Sequence, residues 1–237
     1  MIKSDPDAMN AMFSSIASHY DRANAIVSLQ LYRWWNRIFI RHLLCQHSVN
    51  VYLDLCAGTG ECAFTYLKKC SGKKIAVLLD CCKDMLALAQ EKSKRHRLSQ
   101  HDITYLVGDA QKIPLGSDCV DAVTVAYGIR NIQQPHLCIK EVYRVLKPGG
   151  VFGILELTRP SNGCLRWCHS VYLQRIVPFL GHWITSKKDA YQYLCDSVRC
   201  FISPQEIEKL LLEVGFRNTG IVPLSGGIAT MISGKKP

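Results

Sequence analysis

The 237-residue chain lacks any apolar run approaching the roughly 20 residues that a membrane-spanning helix requires, because stretches such as 113–129 and 171–184 are broken by Gly, Pro, Asp, Gln or Arg. Its opening, Met1-Ile-Lys-Ser-Asp-Pro-Asp, has neither an apolar core nor a small-residue cleavage site, so a cytoplasmic protein is expected. Paired C-x-x-C ligand sets are missing as well, despite 12 cysteines, and no metal site is expected. Cys45, Cys56, Cys62, Cys70, Cys119 and Cys138 lie inside apolar segments, where a reduced thiol behaves as a small hydrophobe rather than as part of a disulfide framework. Acidic residues are in deficit. Against 29 Lys and Arg stand 19 Asp and Glu, a net charge of +10 that invites a polyanionic partner. The basic residues form scattered groups without interleaved aromatics or a nucleic-acid motif, which leaves an anionic membrane face or plain solvation.

What is present is an alternation. Val51–Leu55, Ile75–Leu79, Ile103–Val107, Val120–Val125 and Val151–Leu155 are short apolar runs that suit buried strands. Between them, Ala63–Lys69, Lys83–Arg97 and Pro135–Leu146 carry apolar residues at helical spacing, the last stopped by Pro148-Gly149-Gly150. Alternating β and α predicts an α/β fold with a doubly wound, mainly parallel sheet. Residues 1–48 read as a helical N-terminal cover, with helices around Ala8–Ser18 and Tyr32–Leu44, and residues 160–200 as a helical insertion. Ser203-Pro204-Gln205-Glu206 is a capped helix start, followed by two closing strands around Arg217–Pro223 and Gly227–Ser233. No repeat or flexible linker interrupts residues 1–237, so one domain is expected.

The sharpest motif is Asp54-Leu-Cys-Ala-Gly58-Thr-Gly60-Glu61, between the first strand and a helix, with Ala63 at the third small position of G-x-G-x-x-A. Glycines there let the backbone pass close to a ligand at the strand's carboxyl end. Asp80 ends the second strand 22 residues after Gly58, where a carboxylate can accept from both ribose hydroxyls. Asp54 and Glu61 would repel a pyrophosphate and suit an ammonium, which favours S-adenosylmethionine over a dinucleotide. Asp109 and Ala110, after the third strand, suit an adenine edge; taken alone, Asp109 is equally a turn residue.

By these motifs the chain resembles the class I S-adenosylmethionine-dependent methyltransferases, and within them the ubiquinone/menaquinone biosynthesis C-methyltransferase family. The resemblance runs from Phe13–Asp21 through Trp34-Trp35, Gly128-Ile129-Arg130-Asn131, Leu155–Pro160 and Tyr191–Val198 to Gly226-Gly227-Ile228. It departs where Glu61 replaces Asp, where Ala63 replaces a Thr, and where Ala126-Tyr127-Gly128 replaces Ser-Phe-Gly; Thr59 or Thr65 is the expected substitute for the lost hydroxyl. The resemblance implies a seven-stranded sheet and methylation of a ring carbon of a prenylated quinol, demethylmenaquinol or its ubiquinol-pathway counterpart. It implies cofactor contacts at Asp54, Gly58, Gly60, Ala63, Asp80, Asp109, Ala110 and Ala126, and catalytic roles for Arg130, Asn131 and Tyr20. Arg130 can steady a quinolate oxygen with its planar fork, or else brace the loop by pairing with Glu156 or Asp189. His19 is a lone candidate base. The aromatic insertion, with Trp167, Phe179 and Trp183 beside Lys187 and Lys188, is expected to house the tail and touch the inner face of an anionic membrane, its alternative being a homodimer face. A methyltransferase of another small molecule or RNA, and a non-catalytic cofactor-binding scaffold, stay open.

Overall fold

In the computed structural model, which describes residues 6–44, 47–179 and 188–237, seven strands form one sheet in the order β3-β2-β1-β4-β5-β7-β6. The first five, β1 (Val51–Leu55), β2 (Ile75–Asp80), β3 (Asp102–Val107), β4 (Val120–Ala126) and β5 (Leu146–Leu157), pair parallel with their neighbours. β7 (Ala229–Lys235) inserts antiparallel between β5 and β6 (Arg217–Leu224). The order reverses between β1 and β4, and a crevice opens at such a switch point beyond the carboxyl ends of the strands.

The central strands are mostly apolar because helices cover both faces of the sheet. On one face α3 (Leu31–Leu43), α4 (Glu61–Leu67) and α5 (Lys83–Arg95) bury Trp35, Phe39, Phe64, Leu67 and Leu86. Each such side chain contributes about 1.5–3 kcal/mol when fully removed from water. The approach of α3 to β5 is close: a Cβ on Gly153 would stand 2.2 Å from Leu43 Cδ2 and 2.9 Å from the Phe39 ring, so no larger residue fits there without moving the helix. On the other face α6 (Pro135–Val145) and α9 (Pro204–Val214) bury Ile139, Val142, Ile207 and Leu211. The expected cap of α9 is present, Ser203 Oγ accepting from the Glu206 N–H while the Glu206 carboxylate accepts from the Ser203 N–H.

A third cluster joins the N-terminal cover to the insertion. Ile16, Ala23 and Val27, from α1 (Pro6–Ile16) and α2 (Tyr20–Val27), pack with Cys82 and Met85 at the start of α5 and with Leu173, Val177 and Val198. Leu173 and Val177 follow α7 (Gly163–Val171), and Val198 is on α8 (Lys188–Cys200). The helix α2 was not expected, nor was the turn that ends it, where Leu29 and Gln30 both take positive φ without glycine. Leu180, Gly181, Trp183 and Lys187 lie outside the described residues. No helix among the described residues is long and apolar enough to cross a membrane.

Candidate functional site

The carboxyl ends of β1 to β4 surround a cavity of about 240 Å³, lined among others by Gly58, Asp80, Asp109, Ala110, Ala126 and Asn131. A smaller inner cavity of about 50 Å³ adds Asp54 and shares Tyr20, Cys56, Gly58, Ala126 and Tyr127 with the first. The structure therefore brings three carboxylates from three successive strand ends to one place. Asp80 binds the local backbone with both oxygens, accepting from Gly58 N–H and Cys82 N–H at 2.8 Å each. The glycine loop is thereby tied to the end of β2, and burial pushes the carboxyl pKa up. Gly58 has φ +53° with open space where a Cβ would stand, so the backbone itself forms the cavity wall. Gly60, at φ +79°, serves the turn: a Cβ there would meet the Phe64 ring at 2.6 Å.

Asp54 lies beneath the loop. It accepts from the Ala63 N–H at 3.1 Å and from the Thr124 hydroxyl at 2.6 Å, and Thr124 is in turn bonded to the Tyr52 hydroxyl. Burial pushes the Asp54 carboxyl up to about 7. Ala63 is fully buried and lines neither cavity, so its backbone orients Asp54 rather than walling the pocket. Glu61 lines the inner cavity beside Asp54 and also has a partner. Its carboxylate pairs with Lys92 at 2.6 Å, and Lys92 also holds Asp21 at 2.8 Å, latching α2 over the glycine loop. The hydroxyls expected to replace the missing Thr are likewise engaged, Thr59 with Asp21 and Thr65 with the Glu61 carbonyl.

Asp109 is exposed and accepts from the Gln111 N–H at 2.8 Å within its own turn, while Ala110 is buried. Tyr20 opens α2 and lines both cavities, its phenol pKa raised mainly by burial. His19 is exposed, bonded to Ser18, and lines neither cavity. Arg130 is buried and braces the loop after β4: Nη1 donates to Glu156 Oε1 at 2.5 Å and to the Tyr127 carbonyl at 2.6 Å, and Nε to Ser197 Oγ at 3.3 Å. It does not line either cavity. Its neighbour Asn131 does, with Oδ1 accepting from the Tyr193 hydroxyl of α8 at 3.1 Å.

Compared with known proteins, residues 1–236 match the ubiE/COQ5 methyltransferase family. The chain belongs to that family. A demethylmenaquinone methyltransferase of Protochlamydia amoebophila is 47% identical over 235 residues, covering 99% of this chain and 97% of the relative. A ubiquinone/menaquinone biosynthesis C-methyltransferase of Roseobacter denitrificans is 31% identical, with 96% and 90% covered. Among solved structures, a SAM-dependent methyltransferase from Thermotoga maritima superposes with a TM-score of 0.67 at 18% identity, covering 96% of this chain and 99% of that one. The likeness there is of fold.

In this ubiE/COQ5 methyltransferase two polar groups were invisible to motif reading. Asn36 Oδ1 on α3 and the Tyr127 hydroxyl are buried, have no hydrogen-bond partner among the described residues, and both residues line the inner cavity. A buried polar group without a partner costs about 1–3 kcal/mol, so their presence marks a place where something else supplies the bond. The signal was available at Tyr127: the hydroxyl absent at Ala126 reappears one residue on, where the family pattern has Phe.

Proposed function

We propose that the chain transfers the methyl group of S-adenosylmethionine to a ring carbon of a prenylated quinol, demethylmenaquinol, in keeping with the name of its relative in Protochlamydia amoebophila. The observation that carries this reading is the set Asp54, Asp80 and Asp109 around two adjoining cavities, in a chain of a methyltransferase family. The residues present fit the cofactor. Asp80 has lone pairs left for the ribose hydroxyls, Asp109 and Ala110 edge the adenine end, Gly58 leaves backbone room, and Asp54 with the orphaned Asn36 and Tyr127 groups suits an amino-acid end. When bound, the cofactor supplies an electrophilic methyl on a sulfonium.

The chain's own residues shape the rest. Met9, Phe13, Met85 and Ile132 give the outer cavity apolar walls that exclude water, which favours a reaction in which opposite charges vanish. Asn131, aimed by Tyr193, and Tyr20 are the side chains offered to the quinol oxygens. Losing a hydroxyl proton is what makes a quinol carbon nucleophilic, so these contacts act where that charge develops. Arg130 is a positioning residue in this account, holding the 127–131 loop through Glu156. Residues 1–237 work as one methyltransferase domain, with residues 1–48 as cover and 160–200 on the substrate side. The enzyme is cytoplasmic and visits the inner face of the membrane where its substrate resides; the exposed Trp167, Ile176 and Phe179 beside exposed Arg166 and Arg175 suit an anionic lipid surface better than a second copy of the chain. Purified protein incubated with S-adenosylmethionine and demethylmenaquinol should yield menaquinol by mass spectrometry. Cofactor binding without turnover on any reduced quinol would point instead to a scaffold.

A further inference from the structure

We infer that helix α3 is the element that docks this enzyme on an anionic bilayer, an inference that rests on the quinol reading above. Between Arg22 and Leu53 the sequence contains no Asp or Glu, and the helix in that stretch carries Arg33, Arg37 and Arg41. At 3.6 residues per turn these three, one turn apart, rise along a single outward line. Trp34 and Leu31 lie beside them on the same outer side, with Ile38 partly buried against the core, while Tyr32, Trp35, Asn36, Phe39, Ile40 and Leu43 form the buried one.

The apolar part of that outer side is open to solvent: Leu29 at 70%, Trp34 at 48% and Leu31 at 36% exposure. Leu29 stands at the tip of the α2–α3 turn, held out by its positive φ. Arg33 leans on the Tyr32 ring at 5.6 Å and bonds its hydroxyl at 3.0 Å, but Arg37 and Arg41 have no ion-pair partner among the described residues. Lys68, just beyond the end of α4, adjoins this line: its pKa is lowered first by burial, and the charges of Lys92 and Arg33 add to that against the pull of Glu61. A cationic line beside large apolar side chains, with no acidic residue on the helix itself, is complementary to acidic headgroups lying over acyl chains; the carboxylates acting on Arg33, Glu61 and Asp21, are paired with Lys92.

The position is apt for the reaction. On its inner side α3 contributes Tyr32 and Asn36 to the wall of the inner cavity, so the docking side and the site share one helix. The surface is also continuous with the insertion: the Tyr172 hydroxyl donates to the Val27 carbonyl at 2.6 Å, two residues before Leu29, and Ile176 is one turn further on. The insertion therefore adjoins the turn from which α3 starts.

The test is sedimentation with vesicles of phosphatidylcholine alone and of phosphatidylcholine with phosphatidylglycerol, at low and at physiological salt. Wild-type protein should bind the mixed vesicles at least tenfold better than the neutral ones. Arg37→Glu/Arg41→Glu and, separately, Leu29→Ser/Trp34→Ser should each weaken that binding at least tenfold, while turnover of a water-soluble short-chain quinol stays as in wild type. The control Lys94→Glu/Arg97→Glu, an equal charge change on and just beyond α5, should retain most binding. Equal losses in the control and the α3 variants would overturn the assignment of α3 and leave only bulk charge. Wild-type binding that survives both α3 variants would overturn it while keeping the membrane reading. No preference for anionic vesicles in wild type would overturn both. Tight binding of single-stranded RNA, lost in the α3 variants, without vesicle binding would reassign the surface to nucleic acid.

Discussion

Replacing Asp80 separates the site's architecture from its chemistry. Its two oxygens each accept a backbone N–H at 2.8 Å, from Gly58 in the glycine loop and from Cys82 at the start of α5. Asp80→Ala orphans both donors, at about 1–3 kcal/mol for each one that water cannot reach. Asp80→Asn keeps one acceptor oxygen, so its stability loss should be distinctly smaller. Toward S-adenosylmethionine both variants lose the charged acceptor proposed for the ribose. Hydrogen bonds to a charged group contribute about 1.5–3 kcal/mol, which is about ten- to 150-fold in Kd. Calorimetric titration, with thermal melting of the ligand-free proteins, reads the two effects independently. Asp80→Asn that melts near wild type and binds tens of times more weakly is the expected result. A folded Asp80→Asn or Asp80→Ala protein with wild-type Kd would refute the ribose assignment, since the carboxylate would then serve the loop alone.

Tyr127→Phe should raise the melting temperature of the ligand-free protein, by removing an orphaned hydroxyl, and weaken cofactor binding by about two- to tenfold; a parallel change in both would contradict the inner-cavity role. Glu156→Gln leaves Arg130 buried without its counter-charge and should cost about 3–5 kcal/mol in denaturant unfolding, whereas a loss under about 1 kcal/mol would mean the pair is dispensable. Gly128→Ala places a Cβ 2.3 Å from Cys56 Cβ and should cost about 1–3 kcal/mol, recovered in the double variant with Cys56→Gly, which removes that atom and relieves a φ of +52°. Asp54 holds its proton more tightly folded, at about 7, than unfolded, at 3.8. Its contribution to ligand-free stability is therefore complete below about pH 4 and is lost as pH rises to about 7, at up to about 1.4 kcal/mol per pH unit. Melting of wild type minus Asp54→Asn across that range should fall with pH; a rising difference would contradict the buried-acid reading. An ammonium-bearing ligand favours the ionised form, so wild-type affinity for the cofactor should improve from pH 6 to 8.

The strands were legible because parallel strands under helices on both faces are predominantly apolar, and Val51–Leu55 and Val120–Val125 keep that character around Asp54, Asp121 and Thr124. The order β5-β7-β6, with β7 inserted antiparallel, is a pairing between segments some 75 residues apart and leaves no local mark. α2 escaped because the bend between it and α3 uses Leu29 and Gln30 in the left-handed region, where the expected punctuation is glycine. At the site, strand ends and spacing pointed to Gly58, Asp80 and Asp109, and all three line the outer cavity. Pairings with residues far along the chain were harder to read. Glu61 lines the inner cavity as well as pairing with Lys92, 31 residues on, and no spacing announces that pair. For Arg130 two readings stood open, a quinolate contact or a brace through Glu156 or Asp189, and the structure pairs it with Glu156, 26 residues on, and with Ser197. Asn36 sits among helix positions that read as core, and only its missing hydrogen bond sets it apart.

The central claim is that this chain moves an intact methyl group from S-adenosylmethionine to a ring carbon of demethylmenaquinol. The most direct measurement uses purified enzyme, demethylmenaquinol kept reduced, and cofactor labelled with deuterium in the S-methyl group, with the product analysed by mass spectrometry and NMR. The account predicts menaquinol carrying the whole label on the ring carbon, formed in proportion to S-adenosylhomocysteine and abolished when the quinone is left oxidised. Label on a quinol oxygen, or cofactor turnover independent of the quinol, would contradict it.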